Sequence, residues 1–561
     1  ALSLFSLFLK HAGNSNTEPL LLNSFPMKLI FTLFLALFAH STFSQLDILS
    51  QKHIGGTNYD DMRIFYTPDS SGYYLAGSSR SNISGDKSDN SRGDFDLWLV
   101  KTDLDFNIQW DKTIGGNSGD YFSSMIVSDT ALYCLLSTYS TPSFEMTSPN
   151  YGDSFDHGDF WLLKLDLSGN ILAQKTYGGS NDDQASSILI WNNHLLLLGT
   201  SGSPVSGTKT LPSKGGDDYW LLEVDPSDLS VLTEKVIGST SGDLFVDAMV
   251  TDNQELFLMG TSGSGISGDK TDIGYGGIND IWIVKLDAGL NIVSDKCFGG
   301  TLQEEALGII TDGTNLYFVA SSTSGVNGNK TVPNYGSVDA YPRTDTWLVK
   351  LDADLNIGWQ KSYGGTDDDL PYGFSLLGNN TLSIGINSGS SQSTGSKTAA
   401  FYGSSDAWLV FTDTSGQELT QFTLGGSLWD AGHVKYQRGD TLVFAGSTNS
   451  PVSGNQTTGT YGGFDEWLVK LKITDLSTPN HGVQALELRV YPNPANDLVT
   501  FEFPAVQYRD QYISVFSSDG KKVDEMVVQV GTGSGIWHPA CGSGIYYYST
   551  GGLQGKIVLQ K

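Results

Sequence analysis

Apolar and polar positions along this chain switch every few residues, and helical periodicity is absent. Short runs rich in β-branched, leucine and aromatic residues are bounded by turn residues, as in Ala185–Trp191, His194–Gly199, Tyr219–Val224 and Leu232–Ile237. Such runs predict strands. They come in groups of four, and every group carries the same punctuation. A Gly-Gly or Gly-Ser pair begins at Gly55, Gly115, Gly178, Gly238, Gly299, Gly364 and Gly425, at intervals of 60 to 65 residues. Four residues beyond each pair stands an acid: Asp60, Asp120, Asp183, Asp243, Glu304, Asp369 and Asp430. Later in each group comes Asp-x-Trp, as Asp96/Trp98, Asp159/Trp161, Asp218/Trp220, Asp280/Trp282, Asp345/Trp347, Asp406/Trp408 and Asp465/Trp467.

Four antiparallel strands repeated seven times predict an all-β fold, a seven-bladed β-propeller. The ends of the repeat predict closure. Ile48–His53 precedes Gly55 as Asn107–Thr113 precedes Gly115, and Trp467–Lys472 ends the repeat without the strand that should follow. The N-terminal segment is therefore expected to complete the last blade, so that the propeller spans residues 45–472 and has no open edge. An open solenoid is the alternative.

A Trp at one strand position in every unit is expected to pack between blades, burying about 150–250 Å². The Asp beside it is expected to accept hydrogen bonds from the Gly-Gly turn, whose glycines supply positive φ. Seven separate ligand sites are the functional alternative. Long Ser/Thr/Gly loops between second and third strands, such as Gly199–Lys214, Gly260–Tyr275 and Gly446–Tyr461, should emerge on the same face as the Gly-Gly turns. Tyr-Gly recurs in these loops at Tyr151, Tyr275, Tyr335, Tyr402 and Tyr461. These rings could stack on sugars, or each could pin its own loop. Arg63, Tyr121, Tyr372, Trp429 and His433 break the repeat and are candidates for a unique site near the central channel.

Charge narrows the partners. With 32 basic and 61 acidic residues the net charge is −29, which disfavours nucleic acid and anionic membranes. No cofactor is expected. Calcium at acidic turns such as Asn181-Asp182-Asp183 and Asp367-Asp368-Asp369 is the alternative, although no EF-hand spacing occurs. The three cysteines form no C-x-x-C pair, so no structural zinc is expected.

The N-terminus reads as a secretory signal. Met27 and Lys28 precede the apolar run Leu29–Ala39, and small residues suit cleavage after Ser44. That run is too short to span a bilayer, so the protein is not expected to be integral to a membrane. Residues 1–26 are expected to be upstream sequence or an extended leader.

After a linker at 473–487, residues 488–561 form a separate alternating pattern that predicts a small β-sandwich. It carries Tyr491-Pro492-Asn493-Pro494, then Asp497, the turn Asp519-Gly520, Gly544-Ile545-Tyr546, and a last strand with Lys556 and Lys561. These motifs, in this order, resemble the type A C-terminal sorting domain of type IX secretion cargo. The resemblance implies export to the periplasm and then across the outer membrane, with the type IX machinery as partner. It implies nothing about the propeller's own activity. The reading that follows is a secreted or cell-surface binding protein with a polysaccharide or surface-protein ligand. A polysaccharide-degrading enzyme is the alternative, although no G-x-S-x-G, H-E-x-x-H or histidine cluster is present.

Overall fold

The computed structural model describes residues 45–474 and 489–560, apart from short gaps at 153–155, 252, 337–341, 503–510, 519–520, 529–533 and 551–552. The expected signal peptide, most of the linker, the Asp519-Gly520 turn and Lys561 lie outside the described residues.

Residues 45–474 form seven four-stranded antiparallel sheets, arranged as the blades of a β-propeller. In the third blade the strands run Asp183–Trp191, His194–Ser201, Asp218–Val224 and Val231–Ile237, from the inside outward. The seventh blade is composite. Gln45–Ile54 pairs antiparallel with Asp465–Thr474, from Gln45 opposite Thr474 to Ile54 opposite Glu466, and so joins first blade to last. This leaves no unpaired inner edge at the seam.

The repeat tryptophans Trp98, Trp161, Trp220, Trp282, Trp347, Trp408 and Trp467 are all fully buried. Each belongs to the core where neighbouring blades meet. Trp220 lies 5.0 Å from the ring of Phe160 in the preceding blade, and Trp282 lies 5.2 Å from Tyr219. Trp408 meets Tyr363 edge-on at 6.4 Å, and Trp347 meets Phe318 edge-on at 5.5 Å. Trp98 packs with Ile54 and Leu468 of the seventh blade, and Trp161 with Leu97 and Leu99 of the first. A ring with no solvent-facing surface has nothing to offer a ligand. These tryptophans are placed between blades as core, with no ring surface open to solvent.

Inner strands carry a further regularity. Six of the seven contain a β-bulge, for example between Phe122 and Ser124 and between Phe245 and Asp247; in the seventh blade it lies two residues further along, between Val434 and Tyr436. The first blade's inner strand, Asp60–Tyr66, pairs without one. A bulge turns one extra side chain out of the ladder, and here the extra residues face the propeller axis.

The C-terminal unit has two antiparallel sheets. One holds Arg489–Tyr491, Val499–Glu502 and Ser534–Trp537; the other holds Lys522–Val528, Gln511–Ser517, Gly544–Thr550 and Leu553–Leu559. Phe501, Ile513, Val515, Trp537 and Ile557 form its core. Asn493 ties the Tyr-Pro-Asn-Pro segment to the last strand: its Nδ2 donates to the Lys556 carbonyl (2.7 Å) and its Oδ1 accepts from the Val558 amide (2.8 Å). Among the described residues no helix is long and apolar enough to cross a membrane.

Candidate functional site

One end of the propeller is built from the inter-blade turns and the long loops. Each long loop contains a tight turn, such as Ser206–Lys209. Its second residue is left-handed, with φ of 56° at Gly207, and a Cβ there would meet the Gly178 carbonyl at 2.4 Å. The serine of this turn receives the inter-blade turn. Thr57 N–H donates to Ser84 Oγ (2.9 Å) and Ser180 N–H to Ser206 Oγ (2.8 Å), so both loop sets share one face.

The two repeated acids divide their roles differently from the sequence expectation. The acid after the Gly-Gly pair caps that turn: Gly56 N–H donates to Asp60 Oδ2 (2.7 Å) and Gly179 N–H to Asp183 Oδ2 (2.6 Å). The Asp of Asp-x-Trp instead caps the long loop. The amides of Tyr151, Tyr275, Tyr335, Tyr402 and Tyr461 donate to Asp159, Asp280, Asp345, Asp406 and Asp465 at 2.5–2.7 Å. Asp96 and Asp218 accept in the same way from the amides of Arg92 (2.6 Å) and Lys214 (2.5 Å). The other oxygen presses against the first glycine of the pair, and a Cβ at Gly178 would lie 1.8 Å from Asp159 Oδ1. None of these paired glycines has positive φ. They are glycine because a carboxylate occupies the place of a side chain.

Between the two acids of a blade lies a buried cation. Lys87, Lys209, Lys270, Lys330 and Lys397 are almost fully buried, and four of them stand 5.4–5.9 Å from the blade's Trp ring: Trp98, Trp220, Trp282 and Trp408. Lys87 feels Asp60 and Asp96, and Lys397 feels Asp369 and Asp406. Each Asp-x-Trp acid in turn feels the turn acid of the next blade, as Asp96 does Asp120 and Asp465 does Asp60. The acids and lysines thus form a closed ring under the loop face. Two blades lack the lysine, with Met146 in the second and Gln456 in the seventh. Burial pushes Asp120, Asp159, Asp345 and Asp465 up to about 7, and Asp280 and Asp406 up to about 6. Burial also pushes Lys87, Lys330 and Lys397 down to about 8.

The loop tyrosines reach across to the neighbouring blade rather than folding onto their own loops. Tyr461 packs at Gly85, Tyr151 at Gly207, Tyr335 at Gly395 and Tyr402 at Gly454. The Tyr275 hydroxyl accepts from Asn329 Nδ2 (3.1 Å). Tyr335, Tyr402 and Tyr461 remain 40–47% exposed. Beside them stands a circle of aliphatic residues that sequence reading missed: Ile83, Val205, Ile266, Val326 and Val452, each 57–64% exposed. Their signal was a recurrent aliphatic residue just before the turn serine or asparagine.

A cavity of about 850 Å³ follows the axis, lined by the inner strands of all seven blades. Arg63, Tyr372 and His433 line it. Tyr121 does not, packing on Phe95 (5.1 Å) and edge-on to Tyr139 (5.8 Å), and Trp429 stands edge-on to Tyr372 (6.3 Å) and Phe464 (5.2 Å). The cavity adds Asp61, Asp247 and Lys435. Asp247 occupies a place held by Ser187 and Gly308 in other copies, so alignment of the repeats against one another would have found it. Asp247 accepts from the Ile309 amide (3.1 Å) and Ser187 Oγ (3.3 Å), and Arg63 Nη1 donates to the Ser123 carbonyl (2.7 Å). Burial raises both Asp61 and Asp247 and lowers Lys435; it lowers His433 to about 3. Among the described residues no group of three or more His, Cys, Asp or Glu is arranged to hold a metal ion.

Residues 489–560 match the family model of the secretion system C-terminal sorting domain. This C-terminal unit is therefore a type IX sorting domain, which marks the chain for secretion to the outer cell surface. No curated protein matches the chain. Solved structures with similar folds include the hydrazine synthase of Kuenenia stuttgartiensis, 11% identical, covering 65% of this chain and 79% of that one with a TM-score of 0.36. The Neurospora crassa Pan2 WD40 domain is 8% identical, covering 78% and 97%, with a TM-score of 0.39. Sqt1 from Chaetomium thermophilum is 10% identical, covering 76% and 100%, with a TM-score of 0.38. At these values the strand order, not the likeness, defines the fold.

Proposed function

We propose that the propeller is a binding module, exported through the periplasm after signal-peptide cleavage and recognising polysaccharide at the cell surface through its loop face. The observation that carries this reading is the set of phenol rings of Tyr335, Tyr402 and Tyr461. They stand about two-fifths exposed on loops already fixed by buried carboxylate caps. Rings held this way lose little entropy on binding, which favours stacking on sugars. Repetition around the rim suits a polymer, because each added contact is intramolecular. The test is a broad glycan array probed with the protein beginning at Gln45. Binding that falls at least tenfold in the Tyr402→Ala/Tyr461→Ala variant is the expected result; silence on all glycans would sink the reading.

A second reading is a protein-interaction scaffold. It is favoured by the exposed aliphatic circle from Ile83 to Val452, since exposed apolar patches mark protein contacts. Capture of a defined envelope protein, abolished by Val326→Asp/Val452→Asp, would support it over the first.

A further inference from the structure

We propose that the axial channel contains a second, separate site, one for a small organic carboxylate held by Arg63, His433 and Lys435.

Basic residues are scarce in this chain, 32 against 61 acids, yet three basic side chains from the first and seventh blades meet in the channel. They are not placed there to satisfy one another. Lys435 is partly buried, and the space it faces is the channel itself. Among the described residues it forms no hydrogen bond and no ion pair. His433 Nδ1 is buried and unpartnered. Arg63 uses one N–H on the Ser123 carbonyl, and the rest of its fork remains for a ligand. Donors left unused on side chains that face a channel are available to a ligand.

The carboxylates nearby have partners of their own. Asp247, the acid felt by Lys435, is tied to the Ile309 amide and Ser187 Oγ. Asp61 accepts from the Tyr372 hydroxyl (3.5 Å), and Glu466 behind it accepts from the Met62 amide (3.3 Å). Burial raises all three acids, while the Arg63 guanidinium pulls Asp61 the other way. The Arg fork matches the two oxygens of a carboxylate. The walls decide what carries that carboxylate. Phe122, Phe245 and Phe374 line the same cavity, so apolar rings share it with the polar groups. A volume of about 850 Å³ suits a molecule of one or two sugar rings, not a bare ion.

The experiment is isothermal titration of the protein beginning at Gln45 with glucuronate, glucose and inorganic phosphate. Glucuronate is expected to bind and glucose to be silent. Arg63→Gln and Lys435→Met should each weaken glucuronate binding at least tenfold. Arg63 lies at the exposed side of the channel, so its variant keeps the test open should Lys435→Met fail to fold. Absence of glucuronate binding, or equal binding by both variants, would overturn the proposal. Phosphate binding as tightly as glucuronate would overturn its organic part.

Discussion

Asp120, Asp159, Asp345 and Asp465 are acids held near 7 by burial, beside further acids and too few lysines. Their folded pKa lies above the unfolded value of about 3.9. The stability they contribute is therefore full below about pH 4 and is lost as pH rises through about 7. Asp280 and Asp406, at about 6, act in the same direction. His53 and His433, lowered to about 4 and 3, oppose this only as pH falls below about 6.5. The lysines lowered to about 8 oppose the fall only at the top of this range, where they begin to lose their proton, and by a smaller amount. The thermal midpoint is thus expected to fall between pH 6 and pH 8, by about 1 kcal/mol for each acid near 7. A midpoint that is flat or rises over that range in scanning calorimetry would contradict the assignment. Lys209→Met tests the same ring locally. It removes the cation between Asp183 and Asp218, and should destabilise by about 1–3 kcal/mol at pH 8 and by less at pH 5.

The blade is the unit in which these residues make sense. A blade alone has two apolar faces, and its Trp becomes buried only against the next blade. Trp282→Ala should therefore cost about 3–5 kcal/mol and loosen two blades together. Urea unfolding would show this as a lower midpoint; a loss under about 1 kcal/mol would mean the Trp does not bind the blades. The left-handed turn of the long loop is a separate local device. Gly268→Val places a branched side chain at φ 58°, with its Cβ 2.4 Å from the Gly238 carbonyl. A loss of about 1–3 kcal/mol is expected, without change in the strand spectrum by circular dichroism.

At the scale of the molecule, the ring is closed by ten residues at one end of the repeat. Gln45–Ile54 supplies the outer strand of the seventh blade, with Gln51 also bonded to the Asn455 carbonyl (2.7 Å). A chain beginning at Gly55 should lose this closure, expose the edge of Asp465–Thr474 and aggregate. A chain ending at Leu476 should keep the midpoint of the longer protein, because the two units have separate cores. Light scattering and calorimetry on the two truncations check both outcomes.

Much of this was legible because repetition multiplies a weak signal. One short apolar run is ambiguous, but seven copies of Asp-x-Trp at one phase leave little freedom in strand number, order or closure. Strand identity and blade count follow from spacing along the chain, which local chemistry sets, and the sorting domain from its resemblance to a known family. The partners of each acid do not. Asp159 and Asp183 look interchangeable in sequence, and only the three-dimensional approach of Asp159 to Gly178 shows why that glycine has no side chain. The tyrosines latch onto neighbouring blades because blades fan around an axis, a relation that no spacing within one unit contains. Lys435 and Asp247 stand 188 residues apart and meet in one channel because bulged inner strands turn them toward it. The sequence by itself determined the repeat and its closure, since both arise from local pattern. Tertiary structure alone decided which charges share a cavity, since that depends on where seven twisted sheets converge.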